Sequence, residues 1–310
     1  MHYFAVSKLF NIRRDCWGLA LKIRSKALRV LLAALAALPA SANAADKSAY
    51  TLANPTPESL LRDLTTDRPD LTESPFTVDA GRIQIESNLY GYAKSRPDED
   101  GITTQSHEFA IINIRAGVTH NTEIDLIWQP YGVMRFRPKD KVEQTKAEGI
   151  GGLVLRGKLN LYGNDKFDKP GDTALALLPF ISIPTDRGNG ISPEDVEGGL
   201  IVPFAVVLPV NFGLGLNAGV SAIKDDNGKG YHAEAFLSAA LAYEWNDRVG
   251  TYYEIAAILG TDDPRGDTLL LGTGFTYAIN DNTQLDGGIN FGVTPASDRW
   301  NPFVGLTRRF

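Results

Sequence analysis

The chain has 310 residues, with 31 basic and 37 acidic side chains and a formal charge of −6. Without residues 1–44, 24 basic and 36 acidic residues remain and the charge falls to −12, which argues against nucleic acid or polyanions as partners. The single cysteine, Cys16, lies in that leading stretch, so a disulfide framework and a thiolate metal site are excluded too.

Residues 1–44 read as a signal peptide. Arg13, Arg14, Lys22, Arg24, Lys26 and Arg29 precede an apolar run over 30–38. Pro39 then leads to Ala42-Asn43-Ala44, a small-x-small pattern that places cleavage after Ala44. The run is far short of the ~20 residues that span a bilayer, so no retained anchor is expected. Export from the cytoplasm of a Gram-negative cell follows.

Residues 45–80 are rich in Pro, Asp and Thr and show no sustained period. They are expected to form a periplasmic or luminal segment, either a plug inside a barrel or a strap across its inner rim. From Gly81 onward the period is two. Ile83, Ile85 and Leu89 alternate with Arg82, Gln84, Glu86 and Asn88. Ile124, Leu126, Trp128, Met134 and Phe136 alternate with Glu123, Asp125, Gln129 and Arg135. Leu153, Leu155, Leu159 and Leu161 oppose Arg156, Lys158 and Asn160, and similar dyads recur over 212–221, 233–244 and 284–291. Several runs reach the ~9–11 residues of a tilted membrane strand. The less regular segments 107–118, 173–184, 198–208, 249–259, 268–278 and 300–310 bring the count to about twelve strands. Segments 173–184 and 198–208 are apolar on both faces, so alternation does not orient them.

No later stretch is long and apolar enough for a membrane helix, and only a closed barrel pairs every backbone group in lipid. The expected fold is therefore all-β: a single closed antiparallel transmembrane β-barrel over 81–310, of the bacterial outer-membrane type. Connection lengths agree, since short inner turns (120–122, 209–210, 246–248, 280–282) alternate with longer outer loops. The connection 164–172 departs from that rule. Aromatics group at two levels, Tyr243, Trp245, Tyr277 and Phe310 toward the inner rim and Phe136, Phe291 and Trp300 toward the outer one.

The block Thr66-Asp67-Arg68-Pro69-Asp70-Leu71-Thr72-Glu73-Ser74-Pro75-Phe76-Thr77-Val78 resembles the opening of the outer-membrane transporter family named for the meta-pathway of phenol degradation. Leu178-Pro179-Phe180-Ile181-Ser182-Ile183-Pro184-Thr185 is similar to that family's middle, and Val304-Gly305-Leu306-Thr307-Arg308-Arg309-Phe310 to its ending. The resemblance spans 66–310. It implies passive movement of small, often aromatic or hydrophobic, organic solutes through a porin-like channel. Arg308 departs from it, standing where such strands usually carry an apolar residue, and is expected at the rim.

The residues expected on the transport path are Arg82, Glu86, Asp125, Arg135, Arg156, Lys158, Glu234, Glu254 and Asp286. They either tune a polar conduit or fill a narrow lumen with paired charge. Asp67, Arg68, Asp70 and Glu73 form a candidate gate, and Phe310 a candidate signal for the barrel-assembly machinery. Outer-membrane lipid and lipopolysaccharide are the expected surroundings. His107, His120 and His232 show neither the pairing of a barrel hydrolase nor metal-ligand spacing, so no enzyme, metal or cofactor is expected. The acidic outer loops 225–228 and 262–267 read as solvated hairpins in preference to cation sites. The alternative function is a structural or surface-interaction barrel with a filled lumen.

Overall fold

The computed structural model describes residues 46–98, 100–139, 145–225, 228–263 and 265–310. The signal peptide and its cleavage at Ala44 lie outside the described residues, as do Asp226, Asn227 and Pro264 of the acidic loops.

After a short 3₁₀ turn at Glu58–Leu60, fourteen strand segments follow in order. They are β1 (Ile83–Lys94), β2 (Thr103–Thr119), β3 (Thr122–Trp128), β4 (Tyr131–Arg137), β5 (Thr145–Gly149), β6 (Leu153–Tyr162) and β7 (Thr173–Ile183). The rest are β8 (Glu197–Val207), β9 (Phe212–Lys224), β10 (Tyr231–Asn246), β11 (Val249–Leu259), β12 (Thr268–Asn280), β13 (Thr283–Gly292) and β14 (Asn301–Arg309).

All pair antiparallel, and β1 pairs with β14, with Gln84 opposite Arg309 and Gly91 opposite Phe303, so the sheet closes. β3 and β4 both pair with β2, while β5 pairs with β4 and β6 with β3. Each of these two couples is one strand interrupted near mid-length, at Gln129-Pro130 and at Ile150-Gly151-Gly152. Fourteen segments therefore make a twelve-strand barrel. Closure removes the sheet edge, which lipid would not tolerate.

The outer surface is apolar. Leu155, Val220, Tyr253, Ile255, Leu271 and Phe275 are all exposed on it. Polar side chains are buried on the other face, the inverse of a soluble domain. Phe212, Tyr243 and Trp245 pack together at the inner end, and Tyr90, Phe109 and Tyr131, joined through His107 to Tyr92 and Trp300, form a linked aromatic belt toward the outer end. Among the described residues no helix is long and apolar enough to cross a membrane, so the strands make the crossing.

Two segments apolar on both faces find their reason here. Ala174 of β7 and Ala205 of β8 face inward and pack with Phe76 from the amino-terminal segment. Phe167 closes over Phe76 edge to face, with ring centroids 4.8 Å apart.

Candidate functional site

Residues 46–63 lie along the inner rim. Thr51 bridges to Thr119, and the Leu52 N–H donates to Val118 O at 2.8 Å. Arg62 donates to Asp165 Oδ1 at 2.9 Å and to Thr77 O at 2.9 Å, and Lys47 Nζ sits 2.8 Å from the same Asp165 carboxylate. Burial acts to raise the Asp165 carboxyl, but hydrogen bonds from Arg62 and Lys47 outweigh it and hold the group below its ordinary 3.8. Asp165 belongs to the long inner connection between β6 and β7. Asn164 beside it accepts from the Thr77 N–H at 3.1 Å and donates to Thr77 Oγ1 at 2.7 Å. The one connection that broke the length rule is thus a docking platform, which a tight turn could not provide.

Beyond Thr65 the chain leaves the rim and threads the lumen. The Asp67 carboxylate lies 2.7 and 2.9 Å from Lys158 Nζ, 3.2 Å from Arg156 Nη2 and 3.5 Å from Arg115 Nη1. Arg68 crosses to the opposite wall and forks onto Asp286 at 2.7 and 3.2 Å, with its guanidinium 5.7 Å from the Phe303 ring centre. The Leu71 N–H donates to Glu254 at 3.0 Å, and Thr72 Oγ1 lies 2.6 Å from Glu254 and 2.8 Å from Ser238 Oγ. Glu73 accepts from Arg156 at 2.8 Å and exchanges two hydrogen bonds with Asn217. Phe76 O accepts from Arg115 and Lys158, and the Val78 N–H donates to Glu123 at 2.6 Å. Asp70 sits half-buried beside Glu254 and Glu73. The segment is a plug through 65–79 and a strap before it, so each of the two sequence readings describes one part.

Two glycines make room for it. A Cβ on Gly305 would fall 2.2 Å from Arg68 Nη2, and one on Gly117 would fall 2.1 Å from the Asp79 carbonyl. Alanine is thereby excluded beside the plug backbone at Gly117.

The wall supplies its own pairing. Arg115 reaches Glu123 at 2.7 Å and Glu86 at 2.8 Å, while Arg156 lies 2.9 Å from Asp125 and Lys158 3.3 Å from Glu123. Asp67, Glu123 and Asp125 also converge closely enough to hold a metal ion. Arg115, Arg156 and Lys158 already occupy that space, so the arrangement is an ion-pair cluster. Isolated buried charges would be strongly unfavourable, and the mutual pairing is what permits them there.

The inward residues expected from sequence fall in three places. Glu86, Asp125, Arg156, Lys158, Glu254 and Asp286 meet the plug directly or through these pairs. Arg82 caps the inner rim, donating to Thr56 O at 2.8 Å, and Glu234 lies at the outer mouth. Arg135 is a correction. The break at Gln129-Pro130 reverses the alternation, because proline cannot donate to the ladder and the strand restarts one residue out of phase. Tyr131 joins the outward aromatic belt, so Arg135, two pairs of residues along, faces outward, and Phe136 faces the interior instead of the belt. Arg115, the most enclosed cation of the cluster, was missing from the expected set. A bulge with Ala110 at φ 49° interrupts the alternation of β2 and hides it. Arg308 does lie at the inner rim, 5.3 Å over the Phe310 ring.

Above the plug the inner wall changes character. Ile127, Val154, Leu178 and Ile201 project inward from neighbouring strands and are buried, with Ile191 of the 184–196 loop also enclosed. Nearby lumen positions Asn88, Asn113, Ser182 and Asn290 carry buried polar atoms without a hydrogen-bond partner among the described residues.

A family model described as "Putative MetA-pathway of phenol degradation" matches residues 66–310, and the chain belongs to that family. No curated protein sequence matches it. Among solved structures, the COG4313 outer membrane channel from Pseudomonas putida F1 aligns at 12% identity and a TM-score of 0.59, covering 79% of this chain and 100% of that one. The transport unit of the autotransporter AIDA-I from Escherichia coli aligns at 10% identity and a TM-score of 0.47, covering 74% and 90%. At these identities the likeness to the channel is one of fold.

Proposed function

We propose that this member of the family is an outer-membrane channel for passive entry of small organic solutes, with the 65–79 plug as its inner gate. The carrying observation is the lumen's division into two zones. A buried apolar wall with unpaired polar atoms lies toward the outer mouth, and a charged plug closes the inner half. An apolar or aromatic ring with one polar substituent matches the chemistry of the first zone, where Ile127, Val154, Leu178 and Ile201 are apolar and the enclosed Asn88 and Asn290 keep unpaired polar atoms. The resident charges then decide which solutes pass the plug. The inner end faces the periplasm, the apolar belt faces lipid and lipopolysaccharide, and Phe310 at the inner rim is read during assembly.

The alternative reading, a structural barrel with a filled lumen, draws on the extent of the buried ion pairing. Swelling of liposomes carrying the purified protein separates the two. Aromatic acids and phenols should enter faster than sugars of similar mass. If no solute passes, with or without the plug, the structural reading stands.

A further inference from the structure

Three carboxylates surround one histidine at the outer mouth. His232 begins β10, and its Nδ1 lies 3.0 Å from Asp225 Oδ1 and 3.3 Å from Asp262 Oδ2. Asp225 follows the last residue of β9 and Asp262 belongs to the connection between β11 and β12, so two separate outer loops converge on one nitrogen. On the far side of the ring, Nε2 lies 3.2 Å from Glu234 Oε1. His232 and Glu234 share the lumen-facing side of β10 with Ser238, which touches the plug.

One ring nitrogen carries at most one hydrogen, yet two carboxylates address Nδ1. When Nε2–H donates to Glu234, Nδ1 keeps its lone pair on the side of the two aspartates, the tautomer a metal-ligating histidine needs. A carboxylate on the other nitrogen is the usual outer support for such a ligand. The spacing fits as well. Donor atoms bound at ~2.0–2.2 Å to one ion lie roughly 3.0–3.5 Å apart, and the observed nitrogen–oxygen separations fall in that range. All three donor atoms lie within 4.8 Å of one another.

We infer that Asp225, His232 and Asp262 form a divalent-cation site of mixed nitrogen and oxygen donors, with zinc as the reference ion and Glu234 orienting the ring. Bound there, the ion ties the β9–β10 connection to the β11–β12 connection across β10 and neutralises charge at the mouth of the lumen. The site is distinct from the plug cluster and stands whether or not the lumen conducts. Nitrogen selects against magnesium and calcium, which take oxygen donors.

Calorimetric titration of the folded full-length protein in detergent with zinc chloride tests this, with calcium chloride as comparator. The expected result is one zinc per chain, weakened more than about 10-fold by His232→Ala and by Asp262→Asn, and about 10-fold by Glu234→Gln. His107→Ala and His120→Ala should leave it unchanged. Heat-modifiable migration reports whether each variant is folded. If a variant fails to fold, the electron spin resonance of copper bound to the unaltered protein should still show a single imidazole nitrogen. Absence of zinc binding, binding indifferent to His232, or calcium binding as tight as zinc would each overturn the proposal.

Discussion

Asp67→Asn preserves side-chain size and removes the charge that three cations share. Its carboxylate is 2.7 Å from Lys158 Nζ, 3.2 Å from Arg156 Nη2 and 3.5 Å from Arg115 Nη1. Breaking a buried ion pair from one side costs about 3–5 kcal/mol. Glu86, Glu123 and Asp125 remain beside the cations, so the low end, about 3 kcal/mol, is the expected cost. The docked segment bears it, because the barrel's hydrogen-bond ladder is untouched. At ~1.4 kcal/mol per factor of ten, the undocked fraction rises about 100-fold. Cys16 is the only cysteine, so Leu71→Cys combined with Cys16→Ser places a single thiol on the plug. Leu71 is 8% exposed, and maleimide reaches it only after undocking. Labelling of Leu71→Cys should therefore accelerate about 100-fold when Asp67→Asn is added, with heat-modifiable migration unchanged. Equal labelling rates on the two backgrounds would refute the reasoning.

Four further outcomes are expected. Gly117→Ala should unseat the plug at its inner end more strongly than Gly305→Ala, since a Cβ meets the Asp79 backbone in the first case and a flexible Arg68 side chain in the second; thiol labelling ranks them. Arg68→Gln should raise single-channel conductance modestly, because Asp286 loses its forked partner; an unchanged conductance would remove Arg68 from the gate. The Asp165 carboxyl is held below its ordinary value in the folded state, so its contribution to strap docking is full above about pH 4 and lost as the pH falls further. Protease protection of residues 46–63 should follow that course, and loss already between about pH 5 and 6 would point to another group. Phe310→Ala should lower the inserted fraction and leave conductance per channel unaltered, as measured by outer-membrane fractionation and planar bilayers.

The barrel was legible because its strands carry a period of two over lengths that soluble strands seldom reach, and its loops sort by length. Glu86, Asp125, Arg156, Lys158 and Asp286 could be assigned inward on that period alone. Arg135 and Phe136 could not, although Pro130 was the visible signal that the ladder breaks and the phase resets. Arg115 escaped because the Ala110 bulge shifts β2 by one residue. The route of the plug was beyond local pattern, since unpaired chain has no period. Its best clue was indirect: an inner connection too long for a turn, now occupied by Asn164 and Asp165 holding Thr77 and Arg62. The His232 cluster joins residues 225, 232, 234 and 262, and only the pairing of β9 through β12 brings them together.

Single-channel conductance of the full-length protein against a variant lacking residues 46–79 tests the plugged-channel account most directly. The barrel strands begin at Ile83, so the deletion should insert normally. The account predicts a clearly larger and steadier conductance for the deletion, with flux of aromatic acids rising in parallel. The same conductance in both proteins would contradict it, because the segment that fills the lumen would then lie outside the conduction path.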